Sequence, residues 1–277
     1  MRHGGQILID QLKIQGVDRV FCIPGESYLP ALDGLYESGI QTIVGRQEGG
    51  VAMMAEASGK LTGRPGIAFV TRGPGASNAS AGIHIAFQDS TPMILFVGQV
   101  DSSHRDREAF QEVDYKKMFS PLAKWVAEID NIERLPEYIS KAFNIALSGR
   151  PGPVVLSLPE DTLFAKADIP DAPKANPSKQ MVSEEDVNEV IDKLKLAKNP
   201  FIIVGGSGWS SEAAENLGKF AKSMGIPVGT SFRCQDYLDN RHPNYVGDVG
   251  IGINPALLKR IKLADCVLVL NARLGEM

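Results

Sequence analysis

The stretch GIAFVTRGPGASNASAGIHIAFQDSTPMILFVG, residues 66–98, decides the fold. Two continuous apolar runs, at 66–71 and 93–98, flank a segment rich in Gly, Ala and Ser that starts a helix at 75–88. Strands without polar alternation are buried on both faces, and parallel strands need a long crossover between them. The stretch therefore predicts a β-α-β unit in a parallel sheet that helices cover on both sides.

The same alternation runs through the rest of the chain. Residues 1–164 alternate helical patterns with short apolar strands, and 183–277 repeat the pattern. Between them lies a proline-rich segment, 165–182, that fits neither pattern and is predicted to be a linker. The fold class predicted is α/β, with two doubly wound parallel-sheet domains. The second resembles a Rossmann-like unit, and we expect it to be incomplete because its last apolar strand has no closing helix.

Composition excludes several classes of protein. The 277 residues are 43% hydrophobic and 22% charged, with a net charge of −4, as in ordinary globular domains. Neither nucleic acid nor a membrane is expected as a partner, because no basic cluster and no long apolar run occurs. Three widely spaced cysteines, Cys22, Cys234 and Cys266, are expected to be reduced and buried, with no metal-ligand spacing. We expect a cytoplasmic protein without a metal site of its own.

The segment GRQEGGVAMMAEASGK, residues 45–60, places Glu48 at the start of a helix with very small side chains. Acidic residues are common in a first helical turn because they complement the positive end of the helix dipole. The alternative is a ligand-binding carboxylate at the end of a tight helix–helix contact. Helical spacing puts four residues on one stripe that would allow such a contact, most plausibly with the same helix of a second subunit: Glu48, Ala52, Ala55 and Gly59.

Two loops follow predicted strands and are rich in turn residues. In TRGPGASN, Gly73 belongs to a tight turn, and Ser77 and Asn78 follow as capping or ligand-facing side chains. In CIPGES, Gly25 belongs to a second turn of this kind. Loops at the carboxyl ends of parallel strands are the usual binding places in open α/β sheets, although an ordinary turn explains each loop equally well. His84, inside the following helix, is predicted to be packed.

Two further stretches are less specific. VGGSGW, residues 204–209, contains Gly205 and Gly206 after a strand, but it lacks the G-x-G-x-x-G spacing, so a structural turn is at least as plausible as a nucleotide site. Phe110 and Gln111 form an apolar–amide pair inside a charged loop.

As a set, five stretches resemble the N-terminal half of thiamin-diphosphate enzymes of the acetolactate synthase group. They occur in that family's order, the resemblance covers residues 5–164, and the later alternation is similar to the family's central domain. The stretches are IPGESYLPALDGL, GRQEGGVAMMAEASGK, VTRGPGASNASAGIHIAFQDSTPMILFVGQV, REAFQEVD and GRPGPVVLSLPEDT.

The resemblance implies a thiamin pyrimidine-binding domain in which Glu48 bonds N1′ of the cofactor's aminopyrimidine ring. It also implies a pocket for that ring, made of Gly25, Gly73, Ser77 and Asn78. The activity implied is decarboxylation of a 2-keto acid such as pyruvate, followed by transfer to an acceptor. Phe110 and Gln111 correspond to the substrate side of the family's site.

Other implications of the resemblance are mixed. Arg150, Gly205 and Gly206 correspond to positions that touch FAD in acetolactate synthases. Gln47 stands where the family usually has histidine, and Glu26 stands where a related pattern has glycine, which leaves the substrates open. Mg²⁺ and the diphosphate belong to a C-terminal domain that this sequence does not contain, so residues 1–277 are expected to be inactive alone.

The sequence thus predicts part of an acetolactate synthase-like enzyme, a homodimer or homotetramer that pairs through the helix 47–61. Sister thiamin enzymes are the nearest alternative: a 2-keto acid decarboxylase, an oxalyl-type decarboxylase or a sulfoacetaldehyde acetyltransferase. From other classes, the alternatives are a nicotinamide- or flavin-binding α/β protein and a non-catalytic, dimer-forming regulatory module.

Overall fold

The computed structural model describes residues 1–178 and 181–275. The chain divides into two compact units, Met1–Lys179 and Gln180–Met277. The segment predicted as a linker, 165–182, therefore falls mostly within the first unit. Its two-residue strand Lys166–Ala167 pairs antiparallel with Arg2–His3, and the amide of Gln15 bonds the backbone at Pro173 and Ala175.

The first unit is built on a six-stranded, fully parallel sheet. Its strands lie in the order β3-β2-β4-β5-β7-β6, so the direction of winding reverses between β2 and β4. The strands of the unit are β1 (Arg2–His3), β2 (Arg19–Cys22), β3 (Gln41–Val44), β4 (Gly66–Val70), β5 (Met93–Gln99), β6 (Trp125–Glu128), β7 (Pro153–Pro159) and β8 (Lys166–Ala167).

Helices cover both faces of this sheet, as the unbroken apolar strands predict. On β4, Ile67 and Phe69 belong to one core layer, whereas Ala68 and Val70 belong to the other. The first layer lies under α1, α2 and α6, and the second under α3, α4 and α5. The helices are α1 (Gly4–Gln15), α2 (Leu29–Leu35), α3 (Glu48–Thr62), α4 (Pro74–Asp89), α5 (Tyr115–Phe119), α6 (Leu135–Leu147) and α7 (Glu160–Phe164).

The second unit has a four-stranded parallel sheet in the order β11-β10-β9-β12, so its winding reverses between β9 and β12. Its strands are β9 (Pro200–Val204), β10 (Val228–Thr230), β11 (Tyr245–Asp248) and β12 (Cys266–Leu270), and its helices are α8 (Glu184–Leu196), α9 (Ser211–Met224) and α10 (Pro255–Lys262). The predicted α/β class with parallel sheets is confirmed in both units.

Candidate functional site

The two predicted loops meet at the carboxyl edge of the first sheet, where its winding reverses. The loop after β2 and the loop after β4 are joined by the hydroxyl of Ser27. It forms a hydrogen bond of 2.9 Å with the Thr71 hydroxyl and accepts the Arg72 backbone N–H at 3.3 Å. The buried Tyr28 hydroxyl donates to the Ile23 carbonyl and fixes the start of the first loop. This reversal point is where open α/β sheets bind their ligands.

Glycine is required at both turns because atoms of neighbouring segments approach its Cα closely. A Cβ on Gly25 would lie 2.5 Å from Cβ of Thr71. A Cβ on Gly73 would lie 2.7 Å from Cβ of Gln111, and the φ of Gly73, 58°, is in the region that favours glycine. The structure thus brings Gly25, Gly73 and Gln111 to one edge of the sheet.

Glu48 is the first residue of α3, and its side chain lies against the first turn of α4. Asn78 Nδ2 donates to Glu48 Oε2 at 2.9 Å. Oε1 accepts no hydrogen bond from any described residue, and a Cβ on Gly75 would lie 3.6 Å from it. One oxygen of the carboxylate is therefore anchored by Asn78, while the other keeps its capacity to accept a hydrogen bond.

Two buried tyrosine hydroxyl groups bond the backbone of the two loops, Tyr28 at Ile23 and Tyr115 at Gly73. Burial, together with the nearby Glu48 carboxylate, raises the pKa of Tyr28 far above its ordinary value. Burial also raises the pKa of Tyr115 to about 12, and its hydroxyl accepts the Gly73 N–H at 2.7 Å. Both phenols therefore stay neutral at physiological pH and act as fixed hydrogen-bonding groups, not as acids or bases.

Gln47 has a definite structural role. It is the N-cap of α3, and its side-chain Oε1 accepts the Gly50 N–H at 2.8 Å. The chain caps α1 in the same way with a histidine, since His3 Nδ1 accepts the Gln6 N–H at 3.2 Å. In this chain the N-cap position of a helix can thus be filled by a glutamine amide or by an imidazole whose Nδ1 carries no proton.

The small-residue stripe of α3 does not face a second subunit, and this prediction is wrong. Ala52 and Ala55 are buried within the chain. A Cβ on Gly82 of α4 would lie 2.5 Å from that of Ala52, and Gly59 packs on the Pro92 carbonyl. The glycine and alanine side of α3 is therefore used to bring α4 close. The side of α3 that remains exposed includes Gly50, Met53, Met54, Ala57 and Leu61.

Ser77 and Asn78 both lie at the exposed start of α4. Asn78 contacts Glu48, whereas the Ser77 hydroxyl donates to the Gly73 carbonyl at 3.1 Å and so stabilises the helix start. His84, predicted to be packed, is exposed on the same helix, because the buried stripe of α4 runs through Ala79, Ile83 and Ala86.

Phe110 and Gln111 lie on the loop before α5. The Phe110 side chain is 73% exposed. Its carbonyl oxygen accepts a hydrogen bond of 3.1 Å from Nε of the buried Arg72. Arg72, Tyr115 and Glu160 were not singled out from the sequence, because their partners lie 38 to 88 residues away. The one available signal was an arginine placed between a buried strand and a glycine turn.

Arg150 lies at the opposite, amino edge of the sheet, three residues before β7 begins. Its Nε donates to the Ser90 hydroxyl at 2.7 Å, and Nη2 bonds the carbonyl of Phe87 at the end of α4. The guanidinium also stacks over the Phe87 ring, 5.1 Å from its centroid. The structure does not bring Arg150 to the candidate site.

Gly205 and Gly206 follow β9 in the second unit, at the reversal point of the second sheet. Trp209 Nε1 donates to the Gly205 carbonyl at 2.9 Å, and the Tyr237 hydroxyl donates to the Gly206 carbonyl at 2.6 Å. The two rings stack with centroids 5.5 Å apart. Side chains of the chain itself thus occupy this turn.

Within residues 1–178 and 181–275, no helix is both long and apolar enough to cross a membrane. Over the same residues, no three side chains of His, Cys, Asp or Glu form a group that could hold a metal ion. Cys22 and Cys234 are buried, Cys266 is half-buried, and all three are free thiols.

Comparison with known protein families gives two matches. Residues 2–118 match the thiamine pyrophosphate enzyme N-terminal TPP binding domain, and residues 187–277 match the central domain of the same enzymes. These matched ranges fall in the first and second unit respectively.

Individual relatives cover nearly the whole chain. It is 30% identical over 274 residues to the acetolactate synthase isozyme 2 large subunit of Escherichia coli K12, covering 99% of this chain and 50% of the relative. It is 31% identical over 275 residues to an acetolactate synthase of Bacillus subtilis 168, covering 97% and 48%. For a probable acetolactate synthase large subunit of Methanocaldococcus jannaschii, the identity is 32% over 281 residues, with 99% and 47% covered. The chain spans about half the length of these relatives.

Proposed function

Because the chain belongs to the thiamine pyrophosphate enzymes, we propose that its first unit binds the aminopyrimidine ring of thiamin diphosphate and presents Glu48 to it. The ring would lie at the carboxyl edge of the six-stranded sheet, between the loops that contain Gly25 and Gly73. The family match to residues 2–118 covers every residue of this arrangement.

The carboxylate of Glu48 is the observation that carries the proposal. Asn78 holds Oε2 at 2.9 Å, so the side chain is fixed without using its second oxygen. Oε1, which would lie 3.6 Å from a Cβ on Gly75, accepts no hydrogen bond from any described residue and so remains available to a ligand. A fixed carboxylate with one open oxygen fits a ring nitrogen that needs a strong, directional hydrogen bond.

The roles of the surrounding residues follow from their contacts. Glu48 Oε1 holds the proton of the pyrimidine nitrogen, and Asn78 keeps the carboxylate from rotating. The Gln47 cap fixes the first turn of α3, on which Glu48 lies. When bound, the cofactor supplies the carbanion-stabilising group for decarboxylation of a 2-keto acid.

We propose an acetolactate synthase-like reaction: a small 2-keto acid such as pyruvate is decarboxylated and the remainder is joined to an acceptor. The names of the relatives support this reaction. Phe110 and Gln111 would border the substrate, because their loop packs directly on Gly73. A sister decarboxylase or acetyltransferase activity would use the same Glu48 chemistry.

The prediction that Arg150, Gly205 and Gly206 contact FAD gains no support from their contacts. The guanidinium of Arg150 is committed to the end of α4, and the carbonyls of Gly205 and Gly206 already accept bonds from Trp209 and Tyr237. No step of the proposed reaction uses a flavin. Mg²⁺ and the diphosphate are proposed to bind to a region equivalent to the remaining half of the relatives.

We also propose assembly as a homodimer or homotetramer through the exposed side of α3. Met53 and Met54 are 44% and 37% exposed there, and Leu61 is 87% exposed. A run of apolar side chains on one helix face is typical of an interface. Met53→Lys should shift the sedimentation of the assembled protein toward smaller species, whereas unchanged sedimentation would remove this helix from the interface.

A cytoplasmic location stays a prediction, supported by the free thiols.

The function is tested in the complete reading frame that encodes residues 1–277, supplied with thiamin diphosphate, Mg²⁺ and pyruvate. Glu48→Gln should slow exchange of the cofactor's C2 proton, and turnover with it, by about 10²–10⁴-fold, the range for a positioned acid–base group. Glu137→Gln is the matched control, because Glu137 also lies in a first helical turn and accepts hydrogen bonds from Arg134. Equal C2 exchange in the Glu48→Gln and wild-type proteins would remove the catalytic assignment.

A further inference from the structure

Arg72 is a buried cation at the mouth of the candidate site, and it contacts three separate segments. Its guanidinium donates from Nη2 to Glu26 Oε1 at 3.2 Å, from Nη1 to Glu160 and from Nε to the Phe110 carbonyl at 3.1 Å. Its side chain is 10% exposed. All five N–H donors of a guanidinium point in fixed directions, so two carboxylates that hold its Nη atoms also determine where Nε points.

Nε points at a strained loop. Asp106, Glu108 and Gln111 all have positive φ, at 59°, 54° and 63°, and none of them is glycine. Such conformations persist only where the surroundings impose them. Three such residues among six make the shape of the segment 106–111 depend on the contacts around it.

Part of this shape is imposed from inside the loop. The Glu112 carboxylate accepts the backbone N–H groups of Asp106 at 3.0 Å and of Ala109 at 3.3 Å. Arg105 pairs with Glu112 and, at 2.8 Å, with Glu128 on β6. A backbone hydrogen bond of 3.0 Å from the Glu112 N–H to the Ala109 carbonyl closes a turn with Phe110 and Gln111 at its two central positions. These contacts fold the loop, and its position at the edge of the sheet depends on the contacts that Phe110 and Gln111 make outside it.

The dipeptide Arg72–Gly73 is what those two residues rest on. Arg72 bonds the Phe110 carbonyl, and the bare Cα of Gly73 receives Gln111, whose Cβ lies 2.7 Å from the position a glycine Cβ would take. Arg72 provides the hydrogen bond to Phe110, and Gly73 provides the space for Gln111. The loop after β4, which also starts α4, therefore sets where the substrate-side loop lies.

We propose that Arg72, oriented by Glu26 and Glu160, is the positioning residue that holds Phe110 and Gln111 at the site. The substrate-side role of these two residues rests on the proposed function, whereas the docking of the loop does not. The same contact assigns Glu26 a structural role, because a glycine at position 26 would leave Nη2 of Arg72 without this carboxylate partner.

The first arm of the test is amide hydrogen exchange on the chain 1–277 without cofactor or substrate. Arg72→Gln should speed exchange of the Asp106, Ala109 and Glu112 N–H groups by about tenfold or more, through loss of a charge-assisted hydrogen bond. Exchange in strands β4 and β5 should stay within about twofold of wild type. Arg134→Gln, which removes an exposed guanidinium paired with Glu137, is the control and should leave the loop unchanged.

Arg72→Lys and Glu26→Gln keep the test decisive if Arg72→Gln does not fold. A lysine keeps the charge, but its single ammonium cannot reach both carboxylates and the carbonyl, so faster loop exchange is again expected. Glu26→Gln removes one orienting charge from an exposed side chain and should speed loop exchange less. Unchanged loop exchange, or equal acceleration in the loop and the strands, would overturn the proposal.

The second arm separates positioning from a purely structural role. In the protein translated from the complete reading frame, Arg72→Gln should raise KM for the 2-keto acid about tenfold. The change in kcat should be smaller, as expected when the geometry of ground-state binding is lost. An unchanged KM with a faster-exchanging loop would refute the positioning role. If the protein shows no 2-keto acid activity at all, the proposed function fails, and the exchange arm still decides whether Arg72 holds the loop.

Discussion

The two glycine-rich turns of this chain, 71–78 in the first unit and 204–211 in the second, share a topology and differ in what surrounds them. Each follows a central strand at the point where its parallel sheet reverses its winding. At the first turn, Glu48 keeps one open oxygen beside Gly75. At the second, Trp209 and Tyr237 bond the glycine carbonyls and stack on each other.

This difference shows that the topology of a sheet determines where a ligand could bind, but not whether the side chains there allow it to bind. A parallel sheet provides a crevice at its reversal point in either unit. Whether a ligand can enter depends on the side chains that the neighbouring segments send there. We call the first turn open because Glu48 Oε1 keeps its hydrogen-bonding capacity there, and the second closed because aromatic side chains bond its glycine carbonyls.

The largest expected effect concerns the closed turn. A Cβ on Gly206 would overlap the Asn271 carbonyl oxygen, and its φ is 71°. Gly206→Ala should therefore destabilise the second unit by about 3 kcal/mol, the sum of left-handed strain and overpacking. Gly208→Ala is the matched control, because Gly208 has a φ of 83° but open space around it, and it should cost about 1 kcal/mol.

Urea unfolding followed by tryptophan fluorescence measures this difference. Trp125 and Trp209 are the two tryptophans of the chain and fall in different units, so a Trp125→Phe background isolates the second unit. Equal costs at Gly206 and Gly208 would show that the Asn271 carbonyl does not crowd the second turn at Gly206.

A smaller effect is expected from the open turn. Asn78→Ala removes the anchor of Glu48 from an exposed position, so the free energy of unfolding should change by less than about 1 kcal/mol. Exchange of the cofactor's C2 proton in the complete reading frame should slow about tenfold, because a hydrogen bond to a charged group is lost. Ser80→Ala on the same helix is the control. If Asn78→Ala greatly lowers the free energy of unfolding and leaves exchange of the C2 proton unchanged, the first turn has a structural role and not a cofactor-binding one.

The smallest effect tests the cap of α3. With Gln47→His, a neutral imidazole can accept the Gly50 N–H, as His3 does on α1, but a protonated one cannot. The folded state then binds the proton less well than the unfolded state, so the cap's stability is present above the unfolded pKa of about 6.5 and is lost as pH falls below it. The expected loss between pH 8 and pH 5.5 is about 1 kcal/mol.

Urea midpoints at the two pH values check this, with Gln47→Asn as the non-titrating control. If the histidine variant follows the wild-type pH dependence, the side chain at position 47 does not cap the helix.

The sequence predicts the fold well where strands are long and apolar. β4, β5 and β7 stand out because all their residues are buried. β10 has only three residues, Gly229 among them, and β1 and β8 have two each, too few for any periodicity to detect. Their pairing partners alone define them.

The candidate site is predicted in part. Turn residues after buried strands correctly indicate which loops meet, because the carboxyl ends of parallel strands share an edge. The stripe of Ala52 and Ala55 was assigned to the wrong partner, since periodicity identifies a face but not what covers it. Arg72 was missed because the carboxylates that define its role come from loops far away in the chain.

The most direct test of the account is the crystal structure of the complete protein with thiamin diphosphate bound. We expect the aminopyrimidine ring at the carboxyl edge of the first sheet, with Glu48 Oε1 within about 2.5–3.0 Å of a ring nitrogen. Asn78 should still hold Oε2. A ring bound elsewhere, or a Glu48 carboxylate turned away from it, would contradict the account.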